Sequence, residues 1–261
     1  MKILLAALLV LAGCGGDDDG GTGSGDGGSP DGEDGGGGGD CTPPGGPAGI
    51  VYLNRDGATF TRGPESSVDN TTLVVDDEFV FEPHPFGDNN WDSLAGCFRA
   101  GLSPFHIDVV EADPGAVDHT EIVFTTTWID TDVASISAFS CASFPRGTAF
   151  IFGDNFAESD WQGECELALQ QFGVVGGGLD HSFDCRDYMS YLDSGCDEKD
   201  WIDEPLPCGE LSERACMCDR PSQNSFQILL DIFGPACADS RSRLGTPSPP
   251  RSPPTEATPE A

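Results

Sequence analysis

Basic residues are scarce in this chain of 261 residues: 12 Lys and Arg stand against 45 Asp and Glu, for a formal net charge of −33. Nucleic acid and anionic membrane surfaces are bound through bases that neutralise phosphate, so this charge balance argues against both as partners. Long apolar runs are missing too. The N-terminal run Ile3 to Ala12 has ten residues, about half of the roughly 20 needed to cross a bilayer. No G-x-S-x-G elbow and no phosphate-binding loop occurs, so the usual marks of serine-hydrolase and nucleotide chemistry are absent. No intact HExxH zinc helix is present either.

The N-terminus carries instead the parts of an export signal. Lys2 supplies a positive charge ahead of the apolar run, a pattern too short for a membrane helix and typical of a secretory signal peptide. Its end, "LAGC" (Leu11 to Cys14), resembles the lipobox of bacterial lipoproteins. That resemblance implies a signal peptide at residues 1–13, an acylated Cys14, and a chain anchored to a membrane of the bacterial cell envelope by lipid alone. From Gly15 to Asp40 there are 14 Gly and 8 acids, and no Lys, Arg, aromatic or aliphatic residue. Nothing there can form a core, so residues 14–47 are expected to be an extended, disordered tether. Asp239 to Ala261 is rich in Pro, Ser and Thr and is expected to be a disordered tail. Residues 48–238 remain as one domain of ordinary size, with 34 acids against 8 Lys or Arg, about −26.

Cysteine is plentiful. Setting Cys14 aside leaves ten: Cys41, Cys97, Cys141, Cys165, Cys185, Cys196, Cys208, Cys216, Cys218 and Cys237. An even number in an exported chain predicts five disulfides, whose pairing spacing cannot reveal. A zinc ribbon is the competing reading, but "CMC" (Cys216 to Cys218) lacks the CxxC spacing of thiolate sites.

Within the domain, "GIVYLN" (Gly49 to Asn54) predicts a strand closed by a turn. Trp91, Leu94, Ala95, Phe98 and Leu102 recur at helical spacing after Asp88, a candidate cap, and the helix should end before Pro104. His106 to Ala112, Thr120 to Ile129 and Thr148 to Gly153 read as strands. A second helix should start at Ser159, with Gln162 completing a capping box and Trp161, Cys165, Ala168 and Phe172 on one face. A last helix, from Pro221 to Gly234, carries Phe226, Leu229, Leu230 and Phe233. The expected class is α/β (α+β) with a mixed, twisted sheet.

The second helix runs into "QFGVVGGGLDH" (Gln171 to His181). Laid over the zinc motif HExxHxxGxxH, the positions of the ligands, general base and glycine hold Gln171, Phe172, Val175, Gly178 and His181. Only the glycine and the last histidine survive. "GLDHS" (Gly178 to Ser182) resembles the closing segment of matrixin-type metzincins, and "YMSYL" (Tyr188 to Leu192), with Met189 eight residues after His181, resembles their Met-turn. The resemblance implies a metzincin-like domain: mixed sheet, N-terminal helix, zinc-motif helix and C-terminal helix in that order.

Activity does not follow from that fold. Gln is a poor zinc ligand, and Phe and Val offer no lone pair. A catalytic zinc needs three protein ligands and a carboxylate to activate water, and His181 alone does not supply them. The domain is therefore expected to hold no zinc, to lack peptidase activity, and to bind a protein or peptide by strand addition at a sheet edge. Two other readings stay open: a zinc peptidase with relocated ligands, for which His119-x-Glu121 is the candidate, and a purely structural envelope component. Calcium in the acidic loop Asp184 to Asp200 is a further possibility, though the EF-hand spacing is absent.

Overall fold

The computed structural model describes residues 49–129, 133–192, 196 and 198–236, together with the backbone of the two-residue strand β1 (Leu9–Val10). The remaining residues of the tether and tail, with Cys14, Cys41 and Cys237, lie outside the described residues. Among the described residues no helix is long and apolar enough to cross a membrane.

The chain runs through β2 (Gly49–Asn54), β3 (Ala58–Arg62), β4 (Thr71–Thr72), β5 (Phe79–Phe81) and α1 (Asp88–Leu102). It continues through β6 (Ile107–Val110), β7 (Thr120–Thr125), β8 (Ser135–Phe139), β9 (Thr148–Phe152), α2 (Trp161–Gly177) and α3 (Ser225–Phe233). The main sheet has the order β1-β8-β9-β7-β2-β6 and is parallel except where β8 runs antiparallel to β9. A small sheet, β4-β3-β5, mixes both pairings.

Alternation along the strands divides the core in two. Val51, Leu53, Ile122, Phe124, Ala149 and Ile151 face the helices and join the cluster built on Trp91, Phe98, Leu169 and Phe172. Val123, Phe150 and Phe152 face the other way, against Phe60, Phe81 and Val75 of the small-sheet layer. β7 is covered on both faces and buried at all six positions, which is why its sequence reads as a continuous apolar and Thr run rather than an alternating one. The α/β class with a mixed sheet is as expected.

Several boundaries differ from the sequence reading. Gly87, not Asp88, is the N-cap of α1; Asp88 sits in the first turn and pairs with Arg55 at 2.8 Å. α2 starts at Trp161 with Asp160 as N-cap, and no capping box forms, because Gln162 donates instead to Glu166 one turn on (2.9 Å). α3 begins four residues later than Pro221, where the Asn224 side chain accepts from Gln227 N (2.8 Å). Strands β3, β4 and β5 fall in a stretch whose Pro and Gly content obscured them; each has only two to five residues.

Four disulfides close among the described residues: Cys97–Cys165, Cys141–Cys218, Cys185–Cys196 and Cys208–Cys216. The two cysteines of "CMC" thus go to different partners, which removes the zinc ribbon. Cys97–Cys165 joins α1 to α2 across 68 residues, and chain-entropy reasoning puts such a cross-link at about 4 kcal/mol. Replacing both by Ala is therefore expected to lower unfolding stability by about that amount in urea titrations; an unchanged midpoint would show that the helix contact does not depend on the bond.

Candidate functional site

The region that the zinc motif points to begins where α2 stops. Gly178 takes the left-handed conformation (φ 57°, ψ 36°) and its N–H closes back onto Val174 O. A Cβ there would meet Ser140 O at 2.8 Å, so both the conformation and the close approach demand glycine. The chain then turns beneath the helix. Ser182 N donates to Met189 O (3.1 Å), and Met189 Sδ lies so close under Gly173 that a Cβ at that position would collide with it. Glycine inside the helix, a weakness on propensity alone, is thus what lets Met189 pack against α2.

The positions that align with the zinc motif are used for packing. Phe172 is fully buried, with its ring against Phe98 of α1 and Phe233 of α3. Val175 is equally buried, and its carbonyl accepts from Phe144 N (2.8 Å). Gln171 accepts from the Ser137 hydroxyl on β8 (2.6 Å). Burying a Phe side chain contributes roughly 1.5–3 kcal/mol, whereas a carboxylate in the same place, without a metal or a partner, would cost more than that.

His181 is 3% exposed. Its Nδ1 faces Glu210 Oε1 at 3.4 Å, its ring lies 4.1 Å from that of Tyr191, and its Nε2 is buried without a hydrogen-bond partner. Among the described residues no hydrogen bond or ring contact joins His181 to Gln171, Phe172 or Val175. The structure assembles His181 instead with Asp180, Glu210 and Arg214. Arg214 Nη2 bonds Asp180 Oδ1 (2.9 Å) and Glu210 Oε1 (2.6 Å), and Nη1 bonds Asp180 Oδ2. Burial alone would raise the Asp180 carboxyl, but Arg214 and the N–H groups of Met217 and His181 outweigh it and hold the group below its ordinary range. The hydrogen bond with His181, then Arg214, brings Glu210 down to about 2 against the effect of burial. Burial and the neighbouring Glu210 and Asp180 carboxylates push the Tyr191 phenol well above its ordinary value, so it stays neutral.

Asp180, His181 and Glu210 offer ligand atoms within 4.8 Å of one another. The other groupings of this kind include cysteines already committed to disulfides, Cys208 with Cys216 and Cys185 with Cys196. His119 and Glu121 join no such group among the described residues. His119 is buried rather than solvated, its Nδ1 against Val117 O (2.7 Å), while Glu121 Oε1 accepts from Asn54 (2.8 Å). In the acidic loop, Asp184 is engaged by Arg186, and Asp187 accepts from Ser225 Oγ (2.6 Å) and Met189 N (2.9 Å).

Sequence reasoning missed Glu210 and Arg214, which lie about 30 residues from His181 with no motif linking them. It also missed a buried pair, His84 with Glu164 (3.1 Å), drawn from segments 80 residues apart. Compared with models of known protein families and with curated proteins, the chain matches none.

Two buried acids set an unusual pH dependence. Burial raises Glu121 to about 7, helped by the charge of Asp113 and opposed by Asn54, and it raises Asp187 to about 6 against the bonds from Ser225 and Met189 N. A carboxyl that holds its proton more tightly when folded contributes stability that is complete below its unfolded value, near 4, and is lost as pH rises through the folded value. The domain is therefore expected to melt higher at pH 5 than at pH 8. Asp187→Asn should flatten the slope up to about pH 6, and Glu121→Gln up to about pH 7, with a few kcal/mol at stake for each. Calorimetry across that range would contradict this if stability rose toward pH 8.

Proposed function

We propose that residues 48–238 form a metzincin-like domain that has given up zinc and proteolysis and works as a peptide-binding module on an exported, lipid-anchored chain. The observation that carries this reading is the packing of the former motif: Phe172 lies in the core, Val175 is buried, and Gln171 is bonded to strand β8. A water-activating centre on α2 needs a carboxylate and imidazoles facing a metal, and these side chains are an aromatic ring, an isopropyl group and an amide.

The resemblance to metzincins is supported by the left-handed Gly178 at the helix end, by Met189 beneath Gly173, and by α3 following them in the chain. It also accounts for a methionine packed so closely under α2 that a Cβ at position 173 would force its side chain to shift.

Peptide binding is supported by strand β8. It lies toward one side of the sheet, antiparallel to β9, and among the described residues only Ala138 and Phe139 are paired on its other side, with Leu9 and Val10 of β1. That partner belongs to the expected signal peptide, whose removal from a lipid-anchored chain would free this side of β8, and among the described residues Ser135, Ile136 and Ser137 have no strand partner there. Strand addition draws its affinity from main-chain hydrogen bonds and its selectivity from alternate side chains. The excess of about 26 negative charges on the domain favours basic peptides. Export agrees with the four disulfides.

Two measurements test the reading. Metal analysis of the purified domain is expected to find no stoichiometric zinc, and peptide substrates should survive prolonged incubation; chelator-sensitive cleavage would overturn the loss of activity. Peptides selected from a random display library should bind, and alternate N-methylation of their backbone should weaken them by about tenfold per lost hydrogen bond, about 1.4 kcal/mol each. Affinity indifferent to N-methylation would rule out strand addition, and a library that yields no binder would favour a purely structural role.

A further inference from the structure

Eight of the ten cysteines other than Cys14 close on one another as four disulfides. Cys41 and Cys237 are the two that remain. They stand in sequence before and after nearly the whole domain, and the fold brings together the two ends that carry them.

The meeting point is His106. Gly49 N, at the start of β2, donates to His106 O (3.1 Å), and His106 N donates to Gly234 O (2.9 Å), just past α3. The two ends also touch directly: a Cβ on Gly49 would meet the Phe233 ring at 2.7 Å. Beyond α3 the chain stays beside the same segment, with Pro235 bridged to Phe105 and Ala236 N donating to Pro104 O (2.9 Å). Cys237 is the next residue, and Cys41 precedes Gly49 by eight residues. Eight residues reach at most about 28 Å, more than enough to cross between chain ends that share one residue as partner. A disulfide asks only that the two Cα atoms come within about 4.4–6.8 Å.

We propose that Cys41 and Cys237 form a fifth disulfide within the chain, which fastens the N-terminal tether to the C-terminal tail at the β6 side of the sheet. The proposal rests on the exported, lipid-anchored reading above, in which Cys14 carries lipid on its sulfur and has no thiol to offer. Two thiols brought close in an oxidising compartment do not persist as thiols. Each gives up its proton and the two sulfurs join. The two electrons pass to a disulfide-bearing oxidant, whose own S–S bond opens and takes up both protons as two thiols.

In the sheet order β6 lies at the end away from β8. The bond therefore gathers anchor and tail at one edge and leaves β8, toward the other, free for peptides.

The test uses the full chain isolated from the envelope of a bacterial host that exports it, with free thiols blocked by N-ethylmaleimide before lysis. Digestion without reduction by a protease that cuts after acidic residues releases the peptides Cys41 to Asp56 and Ile232 to Asp239, which separates Cys41 from Cys14. Mass spectrometry is expected to find these two peptides joined, lighter by two hydrogens than the reduced pair, in protein that migrates as a monomer on a non-reducing gel. Cys41→Ser and Cys237→Ser should each lower the melting temperature by about 5 °C or more, and the two together by no more than either alone, because both remove the same bond. The pairing alone is overturned if the four other disulfides are intact while Cys41 and Cys237 are blocked as free thiols, or are joined to other cysteines or to a second copy. If all ten cysteines are blocked, the exported reading falls with it. Additive melting shifts would also overturn the pairing.

Discussion

Asp180 is the residue through which the C-terminal segment is fastened to the body of the domain. Its backbone is gripped by the Gln223 side chain, and its carboxylate gathers Arg214, Met217 N and His181 N. The segment from His181 to Ala236 contains a single nine-residue helix and otherwise turns, isolated bridges and loops among its described residues. A stretch with so little regular structure cannot rely on ladder hydrogen bonds, so its order depends on buried side-chain to backbone bonds and on disulfides. The cost of burying the aspartate is met by complete pairing. Removing one partner would leave a charge uncompensated, which is far worse than never having built the pair.

The packing around α2 explains why the rest of a zinc-protease scaffold can persist without the metal, under the reading proposed above. A metal centre is a strong local organiser, and its loss leaves polar side chains without purpose. Here Phe172 bridges α1 and α3, and Gln171 ties α2 to strand β8. Under that reading position 171 exchanges a metal ligand, and position 172 a general base, for contacts that folding itself can supply. His181 is buried and engaged by Glu210 and Tyr191.

The domain's charge bears on the same question. With so many surface carboxylates, repulsion grows as pH rises, and the buried Glu121 and Asp187 add to that trend because each holds its proton longer in the fold than out of it. Glu210 acts in the opposite direction at the acid end. Stability is thus placed on the mildly acidic side of neutrality.

Local patterns were legible wherever a single element creates them. The apolar spacing of Trp91 to Leu102 marked α1 and the stop at Gly234 marked the end of α3, because helical periodicity and glycine's freedom at positive φ are properties of a few neighbouring residues. Composition likewise determined that the chain is acidic and rich in cysteine. What no local pattern could reveal were the partnerships: which cysteines join, that Arg214 settles between Asp180 and Glu210, that His84 meets Glu164, and that His119 is covered rather than solvated. Those depend on distances between segments tens of residues apart, and only the packing of the helices against the sheet, with loops pinned by disulfides, brings such groups within reach of one another.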